Sequence, residues 1–541
     1  MDARHLDLLT KRLAARPSRR TALRFLGAVL LGSSVGQGAP SAEAACIAPG
    51  AKGKCKKSEQ CCTGRCNKKH RKCLPCATGT TYCAATTACE EPGACPCPHG
   101  QESCNGGCVT AGECPCPDGT ERCNGGCVAA GECPCPEGKV KCYGACIAAE
   151  SECCAPTASA VQAALGPGGT DTIRLCPDTT YRGLLRIARD VTVVGAGPGS
   201  TTLDGDGGPA TIVVVGGATV ELRGLRITSP SYGVQNFGAL TLAGVRLEGN
   251  GNSWPSGILN VGALTLIDSS VSGFSGDTGQ LGSRVSDGGG INNHPGAEVT
   301  LRRSTVSGNK AFKGGGIYNF RGVVTIGEDS SVSNNVAAFG GGIGQEGGTI
   351  VVKSGGRVSG NTATVVGGID NYEGTVTLED GGVVSGNTAS QISGGVDNRG
   401  TLTLWGGSRV SGNSAGTYGG GISNFGTLTL EDGSRVADNT AGSMGGGIAN
   451  LGRATLKQGS VVAHNAAADG GGISNGDFAV LSLEAGSRVT DNTADVGGGI
   501  SDDSGGGVTI AADDIVTGNH LFDGTTLTNC SPANSIPNCV G

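Results

Sequence analysis

The chain has 541 residues, of which 100 are glycine and only 3% are aromatic, and its formal net charge is −6. So few large side chains exclude an ordinary globular core for a chain of this length. Regularly recurring Val, Ile and Leu exclude a disordered chain, and glycines that do not fall at every third position exclude collagen. The composition therefore favours a repeat architecture, in which each unit adds a thin slice to one continuous core.

The first 44 residues combine three features. A polar region ends in Ser18-Arg19-Arg20, an apolar stretch follows at 25–31, and Ala42-Glu43-Ala44 offers a cleavage site. With these features residues 1–44 resemble a twin-arginine signal peptide. The apolar stretch is too short to span a membrane. We therefore predict export by the twin-arginine route to the cell envelope or the extracellular space, with no membrane span.

A cysteine-rich region follows the signal segment. Of the 26 cysteines, 23 lie between Cys46 and Cys154, which indicates an oxidising compartment and structural disulfides; a thiolate metal cluster is the alternative. Residues 45–76 have the spacing C-x8-C-x5-C-C-x3-C-x6-C and resemble the knottins. That resemblance implies three bridges: Cys46–Cys62, Cys55–Cys66 and Cys61–Cys73.

Residues 77–154 contain a 19-residue repeat built on Cys-Pro-Cys pairs, first complete at Cys95-Pro-Cys97. We predict small stapled turns, with Cys176 pairing to Cys153 or Cys154. The region is either a stalk or a binding module. Its first part, 46–76, carries nine Lys or Arg against one Glu, a charge that suits anionic wall polymer. Nucleic acid is not indicated, because stacking aromatic residues are missing nearby.

Residues 155–541 are dominated by a repeat of 26 or 27 residues. Its clearest marker is an asparagine that recurs in nine consecutive units: Asn309, Asn335, Asn361, Asn387, Asn413, Asn439, Asn465, Asn492 and Asn519. Within each unit, stretches such as Thr427-Leu428-Thr429-Leu430 alternate between two faces, as strands do. We predict three short strands per unit with glycine-rich corners.

One such coil cannot bury its apolar face alone, but stacked coils can. Equivalent Ile and Val side chains would then lie above one another, with neighbouring coils paired as parallel strands. The sequence therefore predicts an all-β fold, a right-handed single-stranded parallel β-helix of about 11–13 coils. The recurring asparagines predict two structural ladders that bond coil to coil.

Both ends of this fold need a cap, because bare end coils are open sheet edges. Residues 157–165 predict a short amphipathic helix that covers the first coil. At the other end we predict a disulfide between Cys530 and Cys539 that ties down the last coil.

The opening strands 172–175 and 191–194 resemble the start of pectate-lyase-like right-handed β-helix proteins. The Ser-Gly-Asn…Gly-Gly-Gly-Ile units are similar to repeats of polymorphic outer-membrane and adhesin-type β-helix proteins. The first resemblance implies relatives that include polysaccharide lyases and hydrolases, and the second implies a surface role.

Asp370 and Asp397 are the candidate catalytic residues. Each follows an inward Ile or Val by one residue, so we expect both side chains to point outward. On adjacent coils they lie about 5 Å apart, close enough to share a proton or bind calcium. The alternative is a pair of solvated carboxylates. No cofactor is predicted. Calcium is possible but not required, because the calcium-binding nonapeptide of β-rolls is not matched.

Four aromatic residues are candidate ligand-binding residues: Tyr318, Tyr372, Trp405 and Phe425. Exposed aromatic rings and carboxylates along a flat parallel sheet suit sugar stacking and hydrogen bonding. Ordinary corner packing is the alternative.

The sequence therefore favours a secreted or surface-associated β-helix protein with a structural, adhesin-like or glycan-binding role. The partner predicted on this basis is polysaccharide or cell-wall polymer. The alternative is a carbohydrate-active enzyme, a polysaccharide lyase or glycoside hydrolase, that acts on acidic polysaccharide. Clustered catalytic residues are missing from the sequence, which favours the first of these functions.

Overall fold

The structure is a computed structural model. It describes strand segments between 66 and 148, and residues 153–539 apart from 230, 251–255, 276–286, 503–506, 512–514 and 533–535. By its internal contacts the chain divides into two units, 1–133 and 134–541. The second unit is a parallel β-solenoid of about 13 turns, which confirms the predicted fold class.

Three parallel sheets of 14 strands each form the faces of the solenoid. Sheet 1 contains Thr172–Arg174, Val191–Val194, Thr219–Arg223, Ala239–Ala243, Ala263–Ile267, Glu298–Arg302, Val323–Gly327, Thr349–Lys353, Thr375–Glu379, Thr401–Leu404, Thr427–Leu430, Arg453–Leu456, Val480–Leu483 and Gly507–Ile510. Sheet 2 contains Thr179–Arg182, Thr201–Asp204, Arg226–Ser229, Arg246–Gly249, Ser270–Ser272, Thr305–Ser307, Ser331–Ser333, Arg357–Ser359, Val383–Ser385, Arg409–Ser411, Arg435–Ala437, Val461–Ala463, Arg488–Thr490 and Val516–Thr517. Sheet 3 contains Leu185–Ile187, Ala210–Val214, Tyr232–Asn236, Ile258–Asn260, Ile291–Asn293, Ile317–Phe320, Ile343–Glu346, Ile369–Tyr372, Val396–Asn398, Ile422–Asn424, Ile448–Asn450, Ile473–Asn475, Ile500–Asp502 and Cys530–Ser531.

A fourth, shorter sheet was not predicted, since the repeat was expected to hold three strands. Its six strands are Lys310–Lys313, Val336–Phe339, Thr362–Ala363, Thr388–Ala389, Ser414–Ala415 and Thr440–Ala441. A separate pair, Thr493–Ala494 and His520–Leu521, continues the same position near the C-terminal end. These strands follow the recurring asparagine and turn the chain back toward sheet 3. They are too short for sequence alternation to reveal them.

The core consists of columns of identical side chains, as predicted. The inward residue that opens each sheet 3 strand is completely buried in nine consecutive coils: Ile291, Ile317, Ile343, Ile369, Val396, Ile422, Ile448, Ile473 and Ile500. The central valines of sheet 2 form a second such column from Val306 to Val489. Burial of one aliphatic side chain stabilises by about 1.5–3 kcal/mol, so each coil is held mainly by its neighbours.

Two buried amide ladders run through the solenoid. In the first, eight of the nine recurring asparagines, from Asn335 to Asn519, use Oδ1 to accept from the asparagine one coil earlier, and Asn309 Oδ1 accepts from the Phe274 N–H. The Asn361 backbone N–H and Nδ2 donate to Asn387 Oδ1 at 3.0 and 2.9 Å. Asn387 in turn donates through Nδ2 to Val358 O at 3.0 Å and to Asn413 Oδ1 at 2.9 Å. The predicted coil-to-coil bonding is therefore confirmed. The residue before each of these asparagines has a left-handed backbone conformation, as at Gly386, where φ is +63°.

The second ladder is formed by residues of the sheet 3 strands, from Asn236 to Asp502. Its amides donate in one direction only, each Nδ2 to the Oδ1 of the following coil. Gln345 keeps this register, since it accepts from Asn319 and donates to Asn371, both at 2.8 Å. Asp502, an acceptor without an amide donor, ends the ladder by accepting from Asn475 at 3.0 Å.

The predicted caps are confirmed. The helix α1 spans Ala158–Ala164, and its N-cap Thr157 accepts from the Ala160 N–H at 3.2 Å. Val161 packs into the core from this helix. Disulfides join Cys154 to Cys176 and Cys530 to Cys539, and a further one joins Cys142 to Cys153.

Five antiparallel hairpins are described in the cysteine-rich region. Their strands are Cys66–Asn67 with Lys72–Cys73, Thr81–Cys83 with Ala88–Glu90, Gln101–Cys104 with Gly107–Thr110, Thr120–Cys123 with Gly126–Ala129, and Lys139–Cys142 with Ala145–Ala148. The knottin-like bridges from Cys46 to Cys73 and the signal segment 1–44 lie outside the described residues. In the described part of the chain, no helix combines the length and apolar character that a membrane crossing requires.

Replacing a ladder asparagine tests the ladder's contribution to stability. We expect Asn387→Ala to lower the free energy of unfolding by about 3 kcal/mol, because buried donors of Asn361 lose their acceptor. Thr388→Ala, an exposed change on the same coil, is the matched control and is expected to have little effect. Urea unfolding followed by circular dichroism measures both, and coincident midpoints for the two variants would contradict a stabilising ladder.

Candidate functional site

A groove follows the solenoid where the chain passes from the short fourth sheet into sheet 3. Three columns of side chains line it. The wall column precedes each glycine-rich corner and contains Lys313, Phe339, Val365, Ile392, Tyr418 and Met444. The floor column follows each inward Ile or Val and contains Tyr318, Gly344, Asp370, Asp397, Ser423 and Ala449. The rim column follows each ladder amide and contains Phe320, Glu346, Tyr372, Arg399, Phe425 and Leu451.

The groove has two halves of different chemistry. The acidic half, a cavity of about 260 Å³, is lined by Lys313, Tyr318, Glu346, Asp370, Tyr372 and Arg399. The apolar half, a cavity of about 430 Å³, is lined by Ile392, Tyr418, Ser423, Phe425, Met444 and Leu451. The coil that contains Ile392 and Arg399 borders both halves, so they are neighbours along the solenoid.

Floor side chains point away from the core, as predicted for Asp370 and Asp397, but the corner covers most of them. A Cβ at Gly419, where φ is +57°, would lie 2.2 Å from Ser423 Oγ, so glycine is required at this corner. The coils that contain Asp370 and Asp397 differ, because Val366 and Ser393 replace this glycine. These two residues form a parallel β-bridge with each other. The departure from the repeat thus coincides with the two carboxylates.

Asp397 is completely buried, so the alternative of two solvated carboxylates is wrong for this residue. Its carboxylate accepts from Ser393 Oγ at 3.2 Å and from Arg399 Nε at 3.0 Å. Burial raises the pKa of Asp397, and the Arg399 guanidinium and the hydrogen bonds oppose that rise. A buried carboxylate with a cation and two donors stays ionised at lower cost than one without them.

Asp370 and Asp397 occupy equivalent positions on adjacent, hydrogen-bonded strands of sheet 3. It is partly exposed and lines the acidic half of the groove. Burial raises the pKa of Asp370 to about 7, and the Asp397 charge adds to the rise. The charges of Arg399 and Lys313 only partly oppose this rise in the pKa. Asp370 lacks the cation and the donors that hold Asp397, and its raised pKa keeps part of its carboxyl protonated close to neutral pH.

The other side of the acidic half is an ion pair. The Lys313 ammonium contacts the Glu346 carboxylate, and Tyr318 lies on the floor beside them, 7% exposed. Burial raises the pKa of Tyr318, and the negative charge of Glu346 raises it further. The Tyr318 hydroxyl therefore remains a hydrogen-bond donor at neutral pH. Burial also raises the pKa of Asp287, on the preceding coil, to about 6.

The structure brings together most of the candidate residues from the sequence. Tyr318, Tyr372 and Phe425 share the groove with both aspartates, and the Tyr372 and Phe425 side chains are 46% and 44% exposed. Trp405 is not part of the groove. It lies on the turn between Thr401–Leu404 and Arg409–Ser411, at another corner of the coil.

Sequence reasoning missed Lys313, Glu346, Arg399 and Ser393. The signal that could have found three of them is a break in the repeat: Glu346 and Arg399 interrupt an otherwise apolar rim column, and Ser393 replaces a glycine. Lys313 carries no such signal, because residues of the wall column vary from coil to coil.

Comparisons with protein-family models, with curated proteins and with solved structures found no match for this chain. Within the described ranges, no three His, Cys, Asp or Glu side chains are grouped so that they could hold a metal ion.

The raised pKa of Asp370 predicts a pH-dependent cost in stability. The unfolded chain ionises this carboxyl near 3.8, whereas the folded chain keeps the proton to about pH 7, so stability is lost as the pH rises through this window. We expect Asp370→Asn to stabilise the protein at pH 8 by about 2 kcal/mol and to have little effect at pH 4.

Thermal unfolding at both pH values measures this effect. Asp432→Asn, the same substitution on an exposed turn outside the groove, is the matched control. A stability gain from Asp370→Asn that is equal at pH 4 and pH 8 would contradict the assignment of the proton to Asp370.

Proposed function

We propose that the protein is an exported, adhesin-like β-solenoid that binds a glycan chain along this groove. The observation that carries the proposal is the rim column, where aromatic rings occur on every second coil at Phe320, Tyr372 and Phe425. Two coils span about 9.6 Å, the length of an extended β-1,4-linked disaccharide. Such a chain could place every second sugar against a ring.

The chemistry around the rings also suits a sugar. Arg321 lies over the Phe320 ring and Arg399 over the Phe425 ring, both at 5.3 Å from the centroid, which holds each ring in place from one side. Carboxylates and hydroxyls on the floor can accept and donate hydrogen bonds to sugar hydroxyls. Aromatic rings supply the apolar surface that the faces of sugar rings need.

Export and a surface location belong to the same proposal. The signal-like segment 1–44, the cysteine density of 46–154 and the similarity of the repeats to adhesin-type and pectate-lyase-like β-helix proteins all support it. The basic part of the cysteine-rich region remains a predicted contact for anionic wall polymer.

Removing the exposed rings tests the binding function. A glycan array with the mature protein identifies the ligand, and isothermal titration calorimetry then compares variants. We expect Tyr372→Ala and Phe425→Ala each to weaken binding by about five- to tenfold, because each removes one stacking surface.

Trp405→Ala is the matched control, because it removes an aromatic side chain at another corner of the coil and should leave the affinity unchanged. Equal losses for Trp405→Ala and Tyr372→Ala, or no glycan ligand at all, would contradict the groove as the binding site.

A second candidate function is glycoside hydrolysis, and one observation favours it. Asp370 keeps its proton up to about pH 7 beside other carboxylates, which is the property of a general acid. Glu346 faces the same cavity and could supply the second carboxylate that hydrolysis requires.

Release of reducing ends from acidic and neutral polysaccharides, with and without calcium, tests this alternative. An enzyme that uses Asp370 as its acid should lose activity as the pH rises above about 7 and should lose most of it in Asp370→Asn. Asp432→Asn is again the control, and full activity in Asp370→Asn would exclude the mechanism.

A further inference from the structure

The acidic half of the groove holds an imbalance of charge. Glu346 and Asp370 line this cavity together with the cations Lys313 and Arg399. Two further carboxylates, Asp287 and Asp397, do not line it, but their charges act on Tyr318 and Asp370. Four carboxylates are thus set against two cations. Protonation of the carboxyls reduces this excess of negative charge.

Both cations are already engaged. Lys313 pairs with Glu346, while Arg399 pairs with Asp397 at 3.0 Å and lies over the Phe425 ring. Asp370 has neither an ion pair nor a hydrogen bond to its carboxylate from any described residue. It is therefore the open position of the cluster, and it faces the cavity beside the exposed ring of Tyr372.

A second observation, independent of the carboxylates, also points to a ligand. Ser423 occupies the floor position on the coil after Asp397, and its Oγ is buried without a hydrogen-bond partner. Ser423 is only 1% exposed and lines the apolar half of the groove. A buried hydroxyl without a hydrogen-bond partner is unfavourable, so a ligand that supplies the partner gains affinity.

We infer that the groove recognises a glycan whose sugars carry free primary amines, with one ammonium group bound by Asp370 beside the Tyr372 ring and a sugar hydroxyl bound by Ser423. This inference rests on the proposed glycan-binding function and names its ligand class. An ammonium group supplies three hydrogen-bond donors and the missing positive charge, and it also interacts favourably with an aromatic face. N-Acetylation of the sugar removes the charge and two of the three donors.

The ammonium group replaces the proton of Asp370, so binding depends on pH. The charged groups that act on Asp370 are Lys313, Glu346, Asp397 and Arg399, and Asp370 in turn acts on Tyr318. Below about pH 7 the carboxyl of Asp370 is increasingly protonated and cannot pair with an ammonium group. The affinity for an amino glycan is therefore expected to fall as the pH is lowered from neutral.

The test compares two β-1,4-linked oligosaccharides of equal length, one of glucosamine and one of N-acetylglucosamine. Titration calorimetry with the full mature chain at neutral pH and low salt measures both affinities. We expect the amine form to bind at least tenfold more tightly than the acetylated form. Asp370→Asn should remove this preference, whereas Asp432→Asn, the same change outside the groove, should retain it.

The possible failures are distinguishable. Equal affinity for both oligosaccharides, or a preference that survives Asp370→Asn, would overturn the amine site and leave glycan binding intact. An amino glycan affinity that does not fall at acidic pH would also overturn the amine site. Oligolysine that binds as tightly as the amino glycan would overturn the sugar part of the inference. Failure of every glycan on the array would overturn the proposed function itself.

Discussion

Buried side-chain amides that must find identical partners one coil away are the constraint on which this structure depends. An asparagine such as Asn387 is completely buried, and its amide is satisfied only when Asn361 and Asn413 lie directly below and above it. A slip of one residue between coils would leave these polar groups unpaired at a cost of several kcal/mol. The ladders therefore fix the register that hydrophobic columns of similar Ile and Val side chains specify less strictly.

Because buried residues fix the register between coils, the outward-facing residues are free to vary from coil to coil. The groove is formed by such residues. Each coil contributes one wall, one floor and one rim residue, and neighbouring coils are about 4.8 Å apart. A single substitution therefore changes the groove locally, on one coil. Two successive coils exchange a corner glycine for Val366 and Ser393 and place Asp370 and Asp397 side by side. Chemistry is thus added to the scaffold one coil at a time, without disturbing the core.

Two carboxylates so close together destabilise a folded protein unless charge or protons compensate. Arg399 and Ser393 compensate Asp397, whereas Asp370 retains a proton close to neutral pH. That proton can be donated to a glycosidic oxygen or exchanged for an ammonium group, which is why the same residue enters both candidate functions. The adjoining apolar half and the unpaired Ser423 hydroxyl favour binding of an extended ligand along several coils.

The sequence alone determined the parallel β-solenoid, its amide ladders and both end caps, because a repeat of 26 residues leaves stacking as the way to bury its apolar face. It also placed Asp370 and Asp397 on adjacent coils, since register follows from counting residues. Only the tertiary structure decided that Asp397 is buried, that Lys313 and Glu346 meet, and that Trp405 lies outside the groove. These facts depend on how the glycine-rich corner covers the floor column and on which side-chain columns meet outside the coil. The periodicity of the strands contains no information about either.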